Sequence, residues 1–301
     1  MQRSIQDVKP EESRLEREGI SIIIPAFNEK EGIGIMLEGL KEAIYGLDVP
    51  KEIIVIDDGS SDGTSEVLKS IEGIRVFTHK RNKGYGASIK TGMKNAVFEW
   101  ICIMDADGTY PPDRIPDLVK AAEGMDMVVG ARVLRGAKVP MFRKPAKWIL
   151  TQLANYLAQD DIPDLNSGLR IFKKEVAKRF EDILSDRFSF TTTITLAMLC
   201  NNYKVAYVPI TYSKRKGKSK IRPIHDTLGF LQLIVRTILY FDPLRIFLPI
   251  GTCLLLTSVA LFILRLIQGG GYAVTIPMFL LSGIQVLAIG MLADLIDRRI
   301  K

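Results

Sequence analysis

The stretch Trp100-Ile101-Cys102-Ile103-Met104-Asp105-Ala106-Asp107 decides the fold class. Its five apolar residues are typical of a short buried strand, and two carboxylates follow one residue apart. In open α/β sheets, ligands bind at the carboxyl ends of the strands. Carboxylate oxygens suit Mg²⁺ or Mn²⁺, so the stretch predicts a strand that ends in a divalent-metal site. A D-x-D pattern alone is weak evidence, and the flanking sequence has to support it.

Strand-like and helix-like segments alternate on both sides of this stretch. The alternation favours βαβ units and therefore an α/β fold with a Rossmann-like, mostly parallel sheet. Strands are predicted at Ile20–Ile24, Glu52–Ile56, Arg75–Thr78 and Asp126–Val129, and helices at Glu29–Tyr45, Ser61–Ser70 and Ala87–Phe98.

Polar clusters recur where these strands end. Asn28 and Glu29 follow the first strand, and Asp57 and Asp58 follow the second. The segment 82–86, Asn-Lys-Gly-Tyr-Gly, precedes a helix, where glycines and free amides can approach a phosphate. One such cluster alone is more often a turn or a helix cap. Several in succession favour a substrate site along the edge of the sheet.

Four motifs together resemble a family 2 glycosyltransferase of the GT-A fold. They are Ile-Pro-Ala-Phe-Asn-Glu (24–29), Val-Ile-Asp-Asp-Gly-Ser-Ser-Asp-Gly-Thr (55–64), Asn-Lys-Gly-Tyr-Gly-Ala (82–87) and Asp-Ala-Asp-Gly-Thr-Tyr-Pro-Pro (105–112). The resemblance extends from Ile20 to Phe241 and is narrower to the polyprenyl-phosphate sugar synthases, the dolichyl-phosphate mannose synthase group. It implies an inverting hexosyltransferase that uses a nucleotide sugar, GDP-mannose or UDP-glucose. The implied acceptor is dolichyl or undecaprenyl phosphate, and the implied cofactor is Mg²⁺ or Mn²⁺.

The resemblance also assigns roles to residues. Many relatives carry Gln where this chain has Thr109, which puts the metal geometry in question. Asp164 is the candidate if a base exists, although it is equally suited to orienting Arg170 or an acceptor group. The implied catalytic residues are Asp105, Asp107, Asp164 and Arg132, with Asp105 and Asp107 as metal ligands; the implied donor-binding residues are Pro25, Phe27, Glu29, Asp57, Asp58, Lys83, Gly84, Asp105 and Ala106.

Three downstream segments resemble the part of the family that binds the acceptor phosphate. They are Val129–Arg132, Asp164–Arg170 and Arg215–Lys220. Arg can hold a phosphate with two parallel hydrogen bonds, and Lys can neutralise it as a point charge. Residues 214–222 are equally well explained as a basic loop attracted to anionic lipid. The candidate phosphate-binding residues are Arg132, Arg143, Arg215, Ser219 and Lys220.

The C-terminal residues predict a transmembrane hairpin. Ile246–Ile267 and Ala273–Leu295 are each apolar over the roughly 20 residues that cross a bilayer. Neither has a polar face, which disfavours a helix pair in a soluble core. Basic residues flank both ends, so the positive-inside rule places the catalytic domain on the cytoplasmic face. The expected organisation is a tail at 1–19 without a signal peptide, a GT-A domain at 20–221, an amphipathic interface helix at 222–242 and the hairpin at 243–301.

Two stretches have the pattern of basic amphipathic helices. Phe142–Leu157 and Ile224–Phe241 carry apolar and aromatic residues among Lys and Arg, which suits the membrane interface. The alternative is that they pack against the sheet. The net charge of +7 thus has an explanation on the membrane side, and nucleic acid is not an expected partner.

The sequence leaves other functions open. The tryptophans Trp100 and Trp148 follow Glu99 and Lys147, so the Q-x-x-R-W motif of processive polysaccharide synthases is absent. A glycosyltransferase with a non-lipid acceptor and a non-catalytic nucleotide-sugar-binding partner of a transporter are the alternatives. Homo-oligomerisation is left open, since the spans have no G-x-x-x-G motif.

Overall fold

The computed structural model describes residues 19–134, 159–187, 189–213, 239–268 and 271–300, together with positions 152, 154–156, 232 and 235–237. Within them, seven strands form one sheet in the order β3-β2-β1-β4-β6-β5-β7. The strands are β1 (Ile20–Ala26), β2 (Lys51–Asp57), β3 (Arg75–Thr78), β4 (Trp100–Ile103), β5 (Met127–Ala131), β6 (Arg170–Lys173) and β7 (Val205–Pro209).

Parallel pairing dominates the sheet, as predicted. Strands β3, β2, β1 and β4 pair in parallel, and so do β5 and β7. Strand β6 is inserted between β4 and β5 and runs antiparallel to both. Neither β6 nor β7 was predicted from the sequence, and the reversed direction of β6 makes the sheet mixed rather than wholly parallel.

Helices cover both faces of this sheet. Alternate side chains of β1 point into two apolar cores: Ile22 and Ile24 pack with α1, while Ile23 packs with α3 and α6. The helices are α1 (Ile33–Tyr45), α2 (Thr64–Lys69), α3 (Tyr85–Asn95), α4 (Ile115–Ala121), α5 (Lys174–Arg179), α6 (Phe190–Cys200), α7 (Leu244–Gln268) and α8 (Thr275–Ile300).

Helices α7 and α8 form the predicted hairpin. Their apolar windows have mean hydropathies of 2.4 and 2.0, and only 11% of each window is buried. The two helices approach closely at Gly251 and Gly283, where an added Cβ would lie 3.3 Å and 3.1 Å from the backbone oxygen of the opposite glycine. Ser258 Oγ donates to the carbonyl of Ile276 at 2.9 Å, which satisfies its hydroxyl inside the pair. One glycine from each helix therefore allows the two backbones of the hairpin to approach closely.

Several predicted features lie outside the described residues. These are residues 1–18 of the tail, Arg143, the basic loop with Arg215, Ser219 and Lys220, and most of the two amphipathic stretches. Phe241, at the end of the second stretch, is described, and its ring packs edge-on against Phe180 at 5.6 Å.

Candidate active site

The loops after β1 and β2 are hydrogen-bonded to each other. The amide of Asn28 donates to Ser60 Oγ at 3.0 Å, and the amide of Ser61 donates back to Asn28 Oδ1 at 2.9 Å. Asn28 has a φ of 56°, a left-handed conformation that Asn tolerates better than most residues. The amide of Glu29 donates to Thr64 Oγ1 at 3.0 Å. These bonds fix the carboxyl end of β1, where the predicted donor-binding residues Pro25, Phe27 and Glu29 lie, each partly exposed.

Asp57, at the end of β2, is fully buried and fixes the loop that follows it. Its Oδ1 accepts the amide of Ser60 at 3.0 Å, and its Oδ2 accepts the hydroxyl of Ser65. The side chain thus holds the turn between β2 and α2 in place.

Asp58 shapes the loop that contains Lys83 and Gly84. Its Oδ1 accepts the amide of Lys83 at 2.8 Å and lies 2.7 Å from His79 Nδ1, while its Oδ2 accepts the amide of Gly84 at 2.8 Å. His79 is buried and also contacts Thr91 Oγ1 at 3.0 Å. The amides of Lys83 and Gly84 therefore have a carboxylate acceptor within the protein. The expectation that they are free for a phosphate needs correction on this point.

The glycines of the same loop allow its backbone to pack closely against residues 185–187. A Cβ on Gly84 would lie 2.5 Å from the carbonyl oxygen of Asp186, and a Cβ on Gly86 would overlap the carbonyl of Ser185. Gly84 also has a φ of 109°, which residues with a Cβ rarely adopt. The amide of Ala87 then donates to Asp186 O at 2.9 Å. The glycines are thus explained by this backbone approach rather than by contact with a phosphate.

Asp105 lies just beyond the end of β4 and is fixed from two sides. Tyr85 donates its hydroxyl to Asp105 Oδ1 at 2.8 Å. Gly168 lies so close that an added Cβ would be 2.6 Å from each carboxylate oxygen. Loss of solvation and the charge of Asp105 raise the pKa of Tyr85 well above its usual value, so its hydroxyl stays protonated and remains a donor.

Asp107 is oriented by its own turn. Its Oδ1 accepts both the hydroxyl of Thr109 at 2.6 Å and the amide of Thr109 at 3.1 Å. Thr109 is buried, and its carbonyl accepts the amide of Ser213 at 3.0 Å. Thr109 therefore holds the carboxylate of Asp107 in place.

The two carboxylates fit a divalent ion that takes its other ligands from substrate and water. Asp105 and Asp107 are partly exposed at the carboxyl edge of the sheet, and donors from the protein hold both. The described residues contain no group of three or more His, Cys, Asp or Glu side chains placed to hold a metal. Mg²⁺ in particular is usually held by one or two carboxylates together with phosphate oxygens and water.

Arg132, directly after β5, forms a two-pronged ion pair with Asp164. Nε and Nη2 of Arg132 donate to Asp164 at 2.7 Å and 2.8 Å, and the amide of Arg132 adds a third bond at 3.0 Å. Burial alone would raise the pKa of Asp164, but the hydrogen bonds and charge of Arg132 outweigh it and lower that pKa. Burial alone would likewise lower the pKa of Arg132, and Asp164 raises it instead. Both groups are charged at neutral pH.

Aromatic rings connect the ion pair with the carboxylates. The guanidinium of Arg132 lies 5.2 Å from the ring centroid of Tyr212, within the range of a cation–π contact. Tyr212 meets Tyr110 edge-on at 5.2 Å. The hydroxyl of Tyr110 accepts the amide of Gly168 at 2.6 Å, and Gly168 lies against Asp105. Asp105 and Arg132 therefore belong to one packed assembly.

Arg170 is fully buried under this assembly and supports its backbone. It donates to the carbonyl of Ser167 at 2.5 Å and 3.0 Å, to the carbonyl of Thr191 at 2.9 Å and to Thr195 Oγ1 at 2.7 Å. Asp164 was a candidate for orienting Arg170, but its hydrogen bonds come from Arg132 and from the amide of Asn166. Burial lowers the pKa of Arg170, although a guanidinium remains charged.

The structure brings together Asp105, Asp107, Arg132 and Asp164, the four residues predicted to be catalytic. Ala106 is buried between the two carboxylates of the D-x-D pattern. Sequence reasoning missed Tyr85, Tyr110 and Tyr212 as partners in the site. Tyr85 and Tyr110 stand inside quoted motifs and were detectable by position, whereas nothing in the sequence near Tyr212 connects it with Arg132.

The profile of glycosyl transferase family 2 matches residues 21–180, just over half of the chain. This chain belongs to glycosyl transferase family 2. A second profile, described as the GtrB C-terminal hairpin, matches residues 242–298 and covers both apolar helices. The family 2 glycosyltransferase is therefore anchored in a membrane by its C-terminal hairpin. The predicted family, fold class and sugar-transferase activity are confirmed.

Curated relatives and a solved structure agree with this assignment. The undecaprenyl-phosphate 4-deoxy-4-formamido-L-arabinose transferase of Photorhabdus laumondii is 29% identical, with 93% of this chain and 89% of that protein covered. The dolichol-phosphate mannosyltransferase of Pyrococcus furiosus is 30% identical, with 67% of this chain and 59% of that protein covered. Glucosyl-3-phosphoglycerate synthase of Mycobacterium tuberculosis, solved with Mn²⁺, UDP and phosphoglyceric acid, superposes with a TM-score of 0.57 at 20% identity, covering 74% and 78% of the two chains. That likeness bears on the fold alone.

Proposed function

We propose that this enzyme transfers a hexose from a nucleotide sugar to a polyprenyl phosphate at the membrane surface. The observation that carries the proposal is the joining of Asp105 and Arg132 in one assembly through Gly168, Tyr110 and Tyr212. A carboxylate pair suited to a metal diphosphate is thus connected, through three packed residues, to a guanidinium suited to a second phosphate. The relatives that cover 93% of this chain, hairpin included, are undecaprenyl-phosphate sugar transferases by name.

The donor is proposed to lie along the ends of β1, β2 and β4. Pro25, Phe27 and Glu29 line one side, and the turn fixed by Asp57 and Asp58 lines the other. Asp105 and Asp107 would hold a divalent ion, Mg²⁺ or Mn²⁺, against the diphosphate. When bound, such an ion supplies Lewis-acid stabilisation of the charge on the leaving nucleoside diphosphate. GDP-mannose and UDP-glucose are the proposed donors.

The acceptor phosphate is proposed to bind at Arg132. A phosphate monoester is already ionised near neutral pH, so its oxygen attacks the anomeric carbon without a strong general base, and the configuration inverts. Asp164 suits the role of an orienting group better than that of a base, because Arg132 lowers its pKa. Positioning and charge neutralisation then supply most of the rate enhancement. Arg143, Arg215, Ser219 and Lys220 are proposed further ligands of the phosphate.

The catalytic domain is proposed to face the cytoplasm. Arg298, Arg299 and Lys301 follow the second span, and Lys and Arg are frequent before the first. The positive-inside rule places both flanks of the hairpin on the cytoplasmic side.

The proposal is tested with the purified full-length protein in lipid nanodiscs. The assay supplies a polyprenyl phosphate, Mn²⁺ or Mg²⁺ and a panel of labelled GDP- and UDP-sugars. The expected result is label in an organic-extractable, mild-acid-labile lipid, absent with Asp107→Asn. Asp117→Asn is the matched control, since Asp117 on α4 is a half-exposed carboxylate that pairs with Arg114 just before the helix, and this variant should retain full activity. Transfer of label to water-soluble acceptors only would contradict the lipid acceptor.

A further inference from the structure

The outer face of α8 carries a regular row of side chains that faces away from α7. The α8 residues that approach α7 most closely include Gly283, Leu287 and Gly290. On the opposite face, six exposed residues follow one another at alternating spacings of three and four. This is the a/d pattern of a coiled coil, and we call the six residues the α8 seam. They are Met278, Leu281, Gln285, Ala288, Leu292 and Leu295.

Gln285 is the unusual member of the α8 seam. It lies midway along Thr275–Ile296, the apolar span, and its side chain is exposed. Its amide has two donor hydrogens and an acceptor oxygen, and no hydrogen bond joins it to any other side chain or backbone group among the described residues. Leucine or methionine on this face would be an ordinary lipid-facing residue and would need no partner. A primary amide in hydrocarbon without a partner is costly, since lipid tails offer neither donors nor acceptors.

The depth of Gln285 limits what can satisfy it. About ten residues of helix separate it from either end of the span, roughly 15 Å at the rise of an α-helix. Lipid headgroups and interfacial water therefore do not reach it. The chain of a polyprenyl phosphate is hydrocarbon and offers no hydrogen bond. The partner has to be another membrane segment with a polar group at the same depth.

We propose that the α8 seam is a dimerisation surface, with Gln285 hydrogen-bonded to Gln285 of a second copy of this chain. Two copies inserted with the same topology present Gln285 at the same depth across a twofold axis along the membrane normal. The amide is self-complementary, because each copy donates N–H to the other's oxygen. A single polar residue at an a position also fixes the register of a parallel coiled coil. The contact leaves the α7–α8 packing intact, since it uses the opposite face of α8.

Cysteine cross-linking in lipid vesicles tests the geometry. Cys253 is exposed on α7, so Cys253→Ser provides the background. Leu281→Cys and Ala288→Cys lie in the seam on either side of Gln285 and are expected to form disulfide-linked dimers under mild oxidation. Leu280→Cys is the matched control, because Leu280 is 42% exposed at the depth of Leu281 but lies about 100° around the helix from it and about 80° from Ala288. Equal cross-linking at Leu280→Cys, or none at the seam, overturns the proposal.

Substitution of the amide tests the energetics. Gln285→Leu is expected to weaken dimerisation in nanodiscs or micelles about 3- to 30-fold, the range measured for hydrogen bonds between membrane helices. Gln285→Asn keeps the amide and should keep most of the association. Both variants should retain sugar transfer to polyprenyl phosphate, which shows that the hairpin still inserts and the enzyme folds. A wild-type protein that stays monomeric at all concentrations, or a Gln285→Leu variant that associates as tightly as wild type, refutes the assignment.

Discussion

Gly168→Ala should displace Asp105 without unfolding the protein. The new Cβ would lie 2.6 Å from both carboxylate oxygens of Asp105, whereas ordinary contact begins at 3.4 Å. The carboxylate or the Gly168 backbone must therefore move by about 0.8 Å. Gly168 is held by the hydroxyl of Tyr110, and the side chain of Asp105 is held by Tyr85, so neither moves freely. A misplacement of about 1 Å at a reacting centre costs roughly 100-fold in rate.

The assay is kcat/KM for the donor with saturating polyprenyl phosphate, together with the concentration of Mn²⁺ that gives half-maximal activity. We expect about a 100-fold loss in kcat/KM and a higher metal requirement, with a thermal unfolding midpoint near that of the wild type. Gly39→Ala is the matched control, since nothing lies within 4 Å of its Cβ position on α1. That variant should keep full activity and gain up to about 1 kcal/mol of stability. Near-normal activity of Gly168→Ala would refute the claim that Asp105 needs its observed position.

Three further substitutions separate the roles of residues in the site. Tyr85→Phe removes a hydrogen bond to Asp105 and should raise the metal concentration for half-maximal activity roughly 3- to 10-fold. Asp164→Asn should lower kcat/KM roughly 10- to 100-fold, because Arg132 loses a charged partner. Since the pKa of Asp164 is lowered, its contribution to stability is present above the usual carboxyl pKa and is lost only in acid. The charge of Asp164 therefore does not change between about pH 5 and 8, and wild type and variant should have parallel pH–rate profiles in that range. Arg170→Met leaves buried carbonyls without donors and should lower the free energy of unfolding by about 3 kcal/mol or more, measured by denaturant titration.

Each of these predictions has a result that would contradict it. An unchanged metal requirement in Tyr85→Phe would mean that packing alone holds Asp105. A shifted rate profile near neutral pH in Asp164→Asn would show that Asp164 titrates during turnover, as a base would. Wild-type stability of Arg170→Met would mean that the segment 164–170 does not depend on its buried guanidinium.

The sequence predicted strands β1 to β5 well because they carry strong local signals, whereas β7, which pairs in parallel with β5, was not predicted. Strand β3 begins and ends at the predicted residues, and β1, β2 and β4 differ from prediction by two residues or fewer at each end. Their β-branched runs are bounded by polar turn residues, which is what strand prediction depends on. The D-x-D stretch was placed correctly for the same reason, since an apolar strand leads directly into it.

Strand β6 and helix α6 had no comparable local signal. Strand β6 is four residues long, with Arg170 at one end and Lys173 at the other, and its identity comes from pairing with β4 and β5. Helix α6 contains four threonines, whose β-branched side chains favour a strand. Ten of its eleven residues are buried, so its conformation is set by packing against the sheet rather than by local propensity. The contact of Tyr212 with Arg132 likewise depends on the tertiary fold and has no local sequence signal.

The direction of β6 explains how the donor and acceptor sides of the site come together. Arg170, its first residue, pairs with Ile103 on β4 and with Val129 on β5. Because β6 runs antiparallel to both, the segment before Arg170 lies at the carboxyl ends of β4 and β5, where a parallel strand would have placed it at the far edge of the sheet. One short segment therefore meets both catalytic elements: Gly168 packs under Asp105, and Asp164 holds Arg132. A change at Gly168 should accordingly affect the metal requirement and the acceptor KM together, whereas a change at Tyr85 should affect only the former.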